Sequence, residues 1–371
     1  MKNGLAALRK INWDFPNSRK ADSVHAIHPY PAKFISEIPQ TLIEIIGAPD
    51  DTWVFDPFCG SGATLVESQL AGFPSMGIDL NPIACLMSEV KTRPLDEALP
   101  SFAQKVVAKA RNGGGEITVP KIPNLDHWFK PEAQEEVARL LPAIEEVEDI
   151  IVQDALKLAL SSILVRVSNQ DSDTRYAAVE KNIGPGDVYQ QFLYAVKRLW
   201  NIKSRYHPKT WETKVLKKNI LEVRKDDIAK PVGLAITSPP YPNAYEYWLY
   251  HKYRMFWLGY DPLDVKKDEI GARAHYFKKN PPTIDDFKNQ MSYVMALLYD
   301  VLVDDGYACI VIGRSKIHGQ IIDNAAIMVD AAQAAGFELA TKLQRRIASN
   351  RKSFNLSHAN IKTEHILIFA K

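Results

Sequence analysis

Two short runs carry residue types whose spacing points to chemistry rather than to packing. The first is Asp56-Pro57-Phe58-Cys59-Gly60-Ser61-Gly62-Ala63-Thr64. Its two glycines follow the apolar run Trp53-Val54-Phe55 and stand directly before a helical pattern. Glycine lets a backbone turn sharply and approach a ligand, and the helix N-terminus behind it offers free N–H groups. Asp79 comes 17 residues after Gly62, at the end of a second apolar run, Met76-Gly77-Ile78. An acidic residue placed there suits the ribose hydroxyls of a nucleoside cofactor. The plainer alternative is an ordinary strand–helix turn with a capping Asp. No third glycine completes a dinucleotide fingerprint, which counts against NAD.

The second run is Thr237-Ser238-Pro239-Pro240-Tyr241, which follows the apolar Leu234-Ala235-Ile236. It therefore stands at the carboxyl end of a strand, where open α/β sheets bind ligands. Two successive prolines make a rigid loop without N–H donors, so its carbonyls stay free to accept hydrogen bonds. An aromatic residue directly after them can stack on a flat ring. With the Ser238 hydroxyl, these groups suit a planar substrate bearing an amino group.

Together, Phe58-Cys59-Gly60-Ser61-Gly62 and Thr237-Ser238-Pro239-Pro240-Tyr241 resemble the amino-methyltransferases of DNA. The Ser-Pro-Pro-Tyr form is similar to the cytosine-N4 enzymes, whereas the adenine enzymes more often carry Asp or Asn before the prolines. His28-Pro29-Tyr30-Pro31-Ala32-Lys33-Phe34 resembles the family segment that closes over the methionine part of the cofactor, with one residue added before Lys33 and Phe34 in place of a proline. The matched blocks run over 25–85, 213–258 and, more loosely, 303–371. The resemblance implies S-adenosylmethionine as cofactor, held by His28, Lys33, Asp56, Phe58, Cys59, Gly60, Gly62, Asp79 and Thr237. Asn219 stands where the family's third strand commonly ends in an acidic residue that bonds the cofactor's adenine. It implies a catalytic group of Ser238, Pro239, Pro240 and Tyr241. The Ser238 hydroxyl and the Pro239 carbonyl would accept the two amino hydrogens and localise the nitrogen lone pair toward the donor methyl, with Tyr241 stacking on a base flipped from double-stranded DNA. Direct transfer needs neither a covalent enzyme–base bond through Cys59 nor a metal.

These motifs need a scaffold that brings two strand ends together. Strand-like runs recur at 53–55, 76–79, 215–216, 233–236, 307–313, 337–344 and 364–370. Helical spacing marks 31–47, 63–71, 243–258, 284–302 and 320–335. The pattern predicts an α/β chain with a doubly wound, mostly parallel sheet, which the resemblance makes a seven-stranded, Rossmann-like methyltransferase sheet. Between the two motifs helical patterns dominate, at 99–111, 131–148, 150–167 and 187–201, with a strand signal near 116–119. The expected organisation is a polar arm over 1–24, a catalytic domain over 25–90 and 210–371, and a helical insertion over 91–209 that reads the target sequence. The stretch 259–283, with Arg273, His275, Lys278 and Lys279, is the rival for target recognition.

The chain has 371 residues, Lys+Arg 46 and Asp+Glu 44, a net charge of +2, and 46% hydrophobic residues. These values exclude a disordered chain and a strongly basic packaging protein. Charge is local: 200–230 holds nine Lys/Arg against four Asp/Glu, and 342–371 holds seven against one, including Arg345, Arg346, Arg351 and Lys352. Both segments could clamp a duplex. The acidic run 131–149 reads as a solvated face. The polar run Ser168–Tyr176 fits a capped loop or a base-reading loop. Three cysteines (Cys59, Cys85, Cys309) suit a reducing compartment, and no apolar run of spanning length appears, so a cytoplasmic protein without membrane contact is expected. A cognate restriction endonuclease is a possible partner. Adenine-N6 methylation, RNA guanine-N2 methylation and a non-catalytic DNA-binding subunit stay open as alternatives.

Overall fold

The computed structural model describes residues 2–16, 23–31, 34–113, 117–173, 175–228, 230–243, 245–317, 319–347 and 363–371, without the side chains of Lys2 and Asn3. Seven strands form one sheet: β1 (Trp53–Asp56), β2 (Ser75–Asp79), β3 (Thr213–Lys217), β4 (Val232–Thr237), β5 (Leu302–Gly313), β6 (Glu338–Arg346) and β7 (Thr363–Ala370), in the order β6-β7-β5-β4-β1-β2-β3. All neighbours run parallel except β7, which is antiparallel to both β5 and β6. The central strand β4 is buried at every position, as a strand covered on both faces must be. Strand order reverses between β1 and β4, whose register pairs Val54 with Leu234 and Phe55 with Ala235. The two motif loops leave these adjacent strands at the same end of the sheet, at the topological switch point.

One face of the sheet carries α1 (Lys2–Leu8), α2 (Glu37–Ile46), α3 (Ala63–Ala71) and α4 (Pro82–Thr92). The other carries α9 (Ile284–Val301) and α10 (Asn324–Ala335), whose Phe287, Met291, Met295 and Met328 pack with Phe55, Ile310 and Phe369. Local chemistry sets the ends of these helices. Asn81 caps α4, its side chain accepting from the Ile83 N–H at 2.9 Å, with Pro82 opening the helix. Thr283 and Asp286 form a capping box at the start of α9.

The helical insertion holds α5 (Leu99–Asn112), α6 (Pro131–Glu145), α7 (Ile150–Ile163) and α8 (Asp187–Lys203). Its core is continuous with α3 and α4, because Val66, Ile83, Leu86, Met87 and Val90 belong to the same apolar cluster as Leu156, Phe192 and Leu199. No strand forms over 117–119. Instead a hairpin joins Gln170–Ser172 to Arg175–Ala178, and a second joins Ser315–Ile317 to Gln320–Ile322, so the helix expected over 320–335 begins only at Asn324.

Three expectations change. The first residues are not a free polar arm: Leu8 is fully buried and Trp13 nearly so, both in the core beneath β1, β4 and β5. The acidic run is not wholly solvated: buried Glu136 accepts the Val188 N–H at 3.0 Å and also the Gly186 N–H, so it caps α8. Arg345 is not a surface cation, since it is buried against Glu364. Arg351 and Lys352 lie outside the described residues. Among the described residues no helix is long and apolar enough to cross a membrane.

Candidate active site

The loop after β1 turns on two glycines with positive φ, +49° at Gly60 and +76° at Gly62. A Cβ at Gly62 would stand 2.7 Å from the Ser88 hydroxyl of α4, so only glycine fits where the loop meets that helix. Ser88 donates to the Gly60 carbonyl at 3.0 Å, and buried Lys91 donates to the Ser61 carbonyl. Both hold the loop open from behind. Cys59 is buried and its thiol is pushed well above its ordinary range by burial, so it is not poised as a nucleophile.

Asp79 ends β2 and is tied to this loop. One of its carboxylate oxygens accepts the Gly60 N–H and the other the Asn81 N–H, each at 2.8 Å. Burial pushes its carboxyl up to about 6 despite those hydrogen bonds. Asp56 lies deeper. It accepts the Thr237 hydroxyl at 2.6 Å and the Phe58 N–H at 3.1 Å, and burial pushes it to about 6 as well. The Asp56–Thr237 bond locks the end of β4 to the end of β1, and so fixes one motif loop against the other.

A pocket with a cavity volume of about 120 Å³, partly open to solvent, lies over these loops. Phe58, Cys59, Gly60, Asp79, Asn219, Ser238 and Pro240 line it, so the structure brings together most of the residues expected from sequence. Asp56, Thr237 and Pro239 stand behind that wall: all three are buried and none lines the pocket. The Asn219 side-chain oxygen accepts the Leu221 N–H at 3.1 Å, which leaves its amide NH2 group for a ligand. His28 does not line the pocket; it is buried between the Pro29 carbonyl, at 2.7 Å, and the Ser161 hydroxyl, at 2.9 Å. Lys33 lies outside the described residues.

Tyr241 is placed differently from the expected stacking role. Its side chain is only 8% exposed and does not line the pocket, because its hydroxyl donates to Glu364 of β7 at 3.0 Å. The rings that do face the pocket are Tyr30, Phe34, Phe58 and Tyr247. Tyr30 stacks on Tyr247 at 5.7 Å and on His251 at 5.3 Å, and its hydroxyl end covers Gly60. Composition alone gave no signal for Tyr247.

Glu269 carries no motif in the sequence. This buried side chain lines the pocket and accepts the Tyr247 and Trp248 N–H groups at 2.9 and 2.8 Å. It clasps 262–270 over the site, and Val265, Asp268 and Ile270 complete that wall. Burial pushes its carboxyl up to about 8, and Glu246 and Asp79 nearby push the same way. The pocket thus offers a glycine turn that admits close approach, a carboxylate beneath it, aromatic faces and a free amide. The Asn81 side-chain NH2, buried beside the pocket and without a hydrogen-bond partner among the described residues, adds a spare donor. That set fits an adenosyl amino acid with its ribose hydroxyls, flat base and cationic end.

Comparison with known proteins agrees with this chemistry. The family model for N6/N4 DNA methylases matches residues 6–89 and 232–371, on both sides of the helical insertion. The Type II methyltransferase M.MvaI of Kocuria varians is 28% identical over 288 residues, 69% of this chain and 61% of its own length. The Type II methyltransferase M.BsoBI of Geobacillus stearothermophilus is 23% identical over 288 residues, 67% of this chain and 55% of its own length. The chain therefore spans less than two thirds of these curated relatives. Among solved structures, TrmN from Thermus thermophilus aligns with a TM-score of 0.37 at 9% identity, over 91% of this chain and 49% of that one. The glycine loop, the acidic strand end and the Ser-Pro-Pro-Tyr loop all fall inside the matched segments: the chain belongs to the N6/N4 DNA methylase family, and its cofactor is S-adenosylmethionine.

Proposed function

We propose that this chain is a DNA methyltransferase that moves a methyl group to the N4 amino group of cytosine in double-stranded DNA. The observation that carries the reading is the placement of Ser238 and Pro240 in the wall of the same pocket as Asp79, Gly60 and Phe58. The bound cofactor supplies an electrophilic methyl group on a sulfonium. Among the residues that would hold it, Asp79 would take its ribose hydroxyls, Asn219 its adenine, and the loop Phe58–Gly62 its amino-acid end. The Ser238 hydroxyl, in the pocket wall, accepts a hydrogen of the exocyclic amine; the Pro239 carbonyl, expected to accept the other, stands behind that wall and would have to turn inward when the base enters. That interaction draws the nitrogen lone pair out of ring conjugation and aims it at the methyl group, so positioning supplies much of the rate. A base inside a duplex cannot reach this pocket, so it must be flipped out of the stack. Tyr30, Phe34 and Tyr247 are the rings available to flank it, with Tyr241 bracing the loop from behind.

In this reading 25–90 and 210–371 form the catalytic unit, and 91–209 carries target recognition. A partner restriction endonuclease and a cytoplasmic location go with that role. Ser-Pro-Pro-Tyr favours cytosine, while the family covers both N4 and N6 chemistry. Substituting Ser238→Ala tests the proposal: methyl transfer to DNA falls by roughly 10²-fold or more while cofactor affinity stays unchanged. Loss of cofactor affinity instead would mean that Ser238 serves the cofactor rather than the base.

A further inference from the structure

A second cleft opens beside the pocket, lined by Ala26, His28, Pro29, Arg166, Gln191 and Tyr194, together with Tyr30 and Arg198. Tyr30 lines both spaces, so the cleft begins where the pocket wall ends. Its far wall is α8, the 17-residue helix Asp187–Lys203. Val188, Phe192, Val196, Leu199 and Ile202 bury one side of that helix in the insertion core. The opposite side presents Gln190, Gln191, Tyr194, Lys197, Arg198 and Asn201, which follow helical spacing and are polar throughout. Lys197 and Arg198 are the basic residues on that side; the helix's third, Lys203, is buried, and its one acidic residue, Asp187, lies at the N-terminus. Tyr194 is 59% exposed, so most of its ring faces solvent.

The cleft is built rather than merely charged. Arg166 donates to the Gln191 side-chain oxygen at 2.9 Å, which sets a guanidinium and an amide edge to edge. Arg198 donates to the Ala26 carbonyl at 2.7 Å, which ties the helix to the segment that carries Tyr30. Glu136 neutralises the N-terminal end of α8 from the buried side. Arg and Gln are the side chains that read the edges of guanine and adenine in the major groove.

We infer that the exposed face of α8 is the element that reads the DNA sequence beside the target base, with Gln191 and Arg166 facing base edges and Lys197 facing the phosphate backbone. This rests on the proposed DNA-methylating function and narrows the recognition role from the whole insertion to one helix face. Tyr194 supplies a flat contact surface beside them. The polar run Ser168–Tyr176 is less suited to reading bases, because Ser168 and Gln170 are buried and Asp173 pairs with buried Arg254.

The test compares the full chain with its Gln191→Ala, Arg166→Ala and Lys197→Ala variants. Affinity for a random-sequence duplex is measured by anisotropy over a salt series, and sites methylated in a duplex library are read by sequencing. Cofactor affinity and melting temperature confirm that each variant is folded. Gln191→Ala and Arg166→Ala are expected to relax the methylated consensus at a base position. Lys197→Ala is expected to keep the consensus and to reduce the salt slope by about 0.9. An unchanged consensus in the first two, with an unchanged salt slope in the third, overturns the assignment. DNA binding that depends on these residues without any methylation would instead overturn the enzymatic reading and leave the helix face standing. A chain that binds no duplex overturns both.

Discussion

The hydroxyl of Tyr241 donates to Glu364 at 3.0 Å, joining the loop after β4 to β7 across 123 residues of sequence. Glu364 is in turn held by Arg345 at 3.2 Å; Tyr241 and Arg345 are buried and Glu364 is half-buried. The aromatic residue of the Ser-Pro-Pro-Tyr loop therefore braces the loop rather than presenting its ring. Tyr241→Phe keeps the ring and removes the brace, leaving a half-buried carboxylate one partner short. Stability should fall by about 1–3 kcal/mol, and single-turnover methyl transfer should slow while cofactor affinity holds. Thermal melts and a rapid-quench assay check this. A transfer rate equal to that of the unmodified protein would mean that the Ser238 loop keeps its geometry without the Glu364 contact.

That bond also marks what sequence could and could not reveal. The glycine turn, Asp79 and the two prolines were legible because each lies within a few residues of a strand end, where local chemistry dictates the backbone. The direction of the Tyr241 side chain depends on a strand more than a hundred residues away, so no local pattern encodes it. The same holds for Glu269 and Tyr247, which reach the pocket only because 262–270 folds back over it. Arg345 counted as surface charge in the sequence, and its burial follows from the antiparallel pairing of β6 with β7, which sets it opposite Glu364. Leu8 and Trp13 read as part of a polar arm because the apolar Leu5, Leu8, Ile11, Trp13 and Phe15 are interspersed with Arg9, Lys10, Asn12 and Asp14, and the core they join is built from strands far along the chain.

Glu269 makes stability pH-dependent in a stated direction. Burial raises its folded-state value from 4.5 to about 8, so the stability linked to its protonated form is complete below about pH 4.5 and is lost as pH rises through 8. In Glu269→Gln this loss should be absent. Melting temperatures recorded between pH 6 and pH 9 should fall more steeply for the unmodified chain than for the variant. Parallel curves would mean that Glu269 does not titrate in this range.

Asp79 should govern cofactor binding through its charge. Its carboxyl, held at about 6, accepts ribose hydroxyls best when ionised, so affinity should weaken as pH drops below about 6. Asp79→Asn should bind S-adenosylmethionine about 10- to 100-fold more weakly, and its affinity should change little across the same range. Calorimetric titrations at pH 5, 6 and 7.5 measure both effects. An unchanged dissociation constant in the variant would remove Asp79 from the cofactor site.

Gly62 tests the geometry of the cofactor loop. In Gly62→Ala the positive φ is retained only with strain, and the new methyl group meets the Ser88 hydroxyl at 2.7 Å. Cofactor affinity should fall, and pairing the change with Ser88→Ala should recover only part of it, since the backbone strain remains. Full recovery in the double variant would assign the whole effect to the Ser88 contact.

The most direct test of the central claim is the chemical identity of the methylated base. Duplex DNA is incubated with the chain and isotopically labelled S-adenosylmethionine, digested to nucleosides and resolved by mass spectrometry. Transfer to cytosine N4 puts the label in N4-methylcytosine for the unmodified chain, and little or none for Ser238→Ala. Label in N6-methyladenine would overturn the cytosine assignment, and no label in any nucleoside, with cofactor bound, would contradict the catalytic account as a whole.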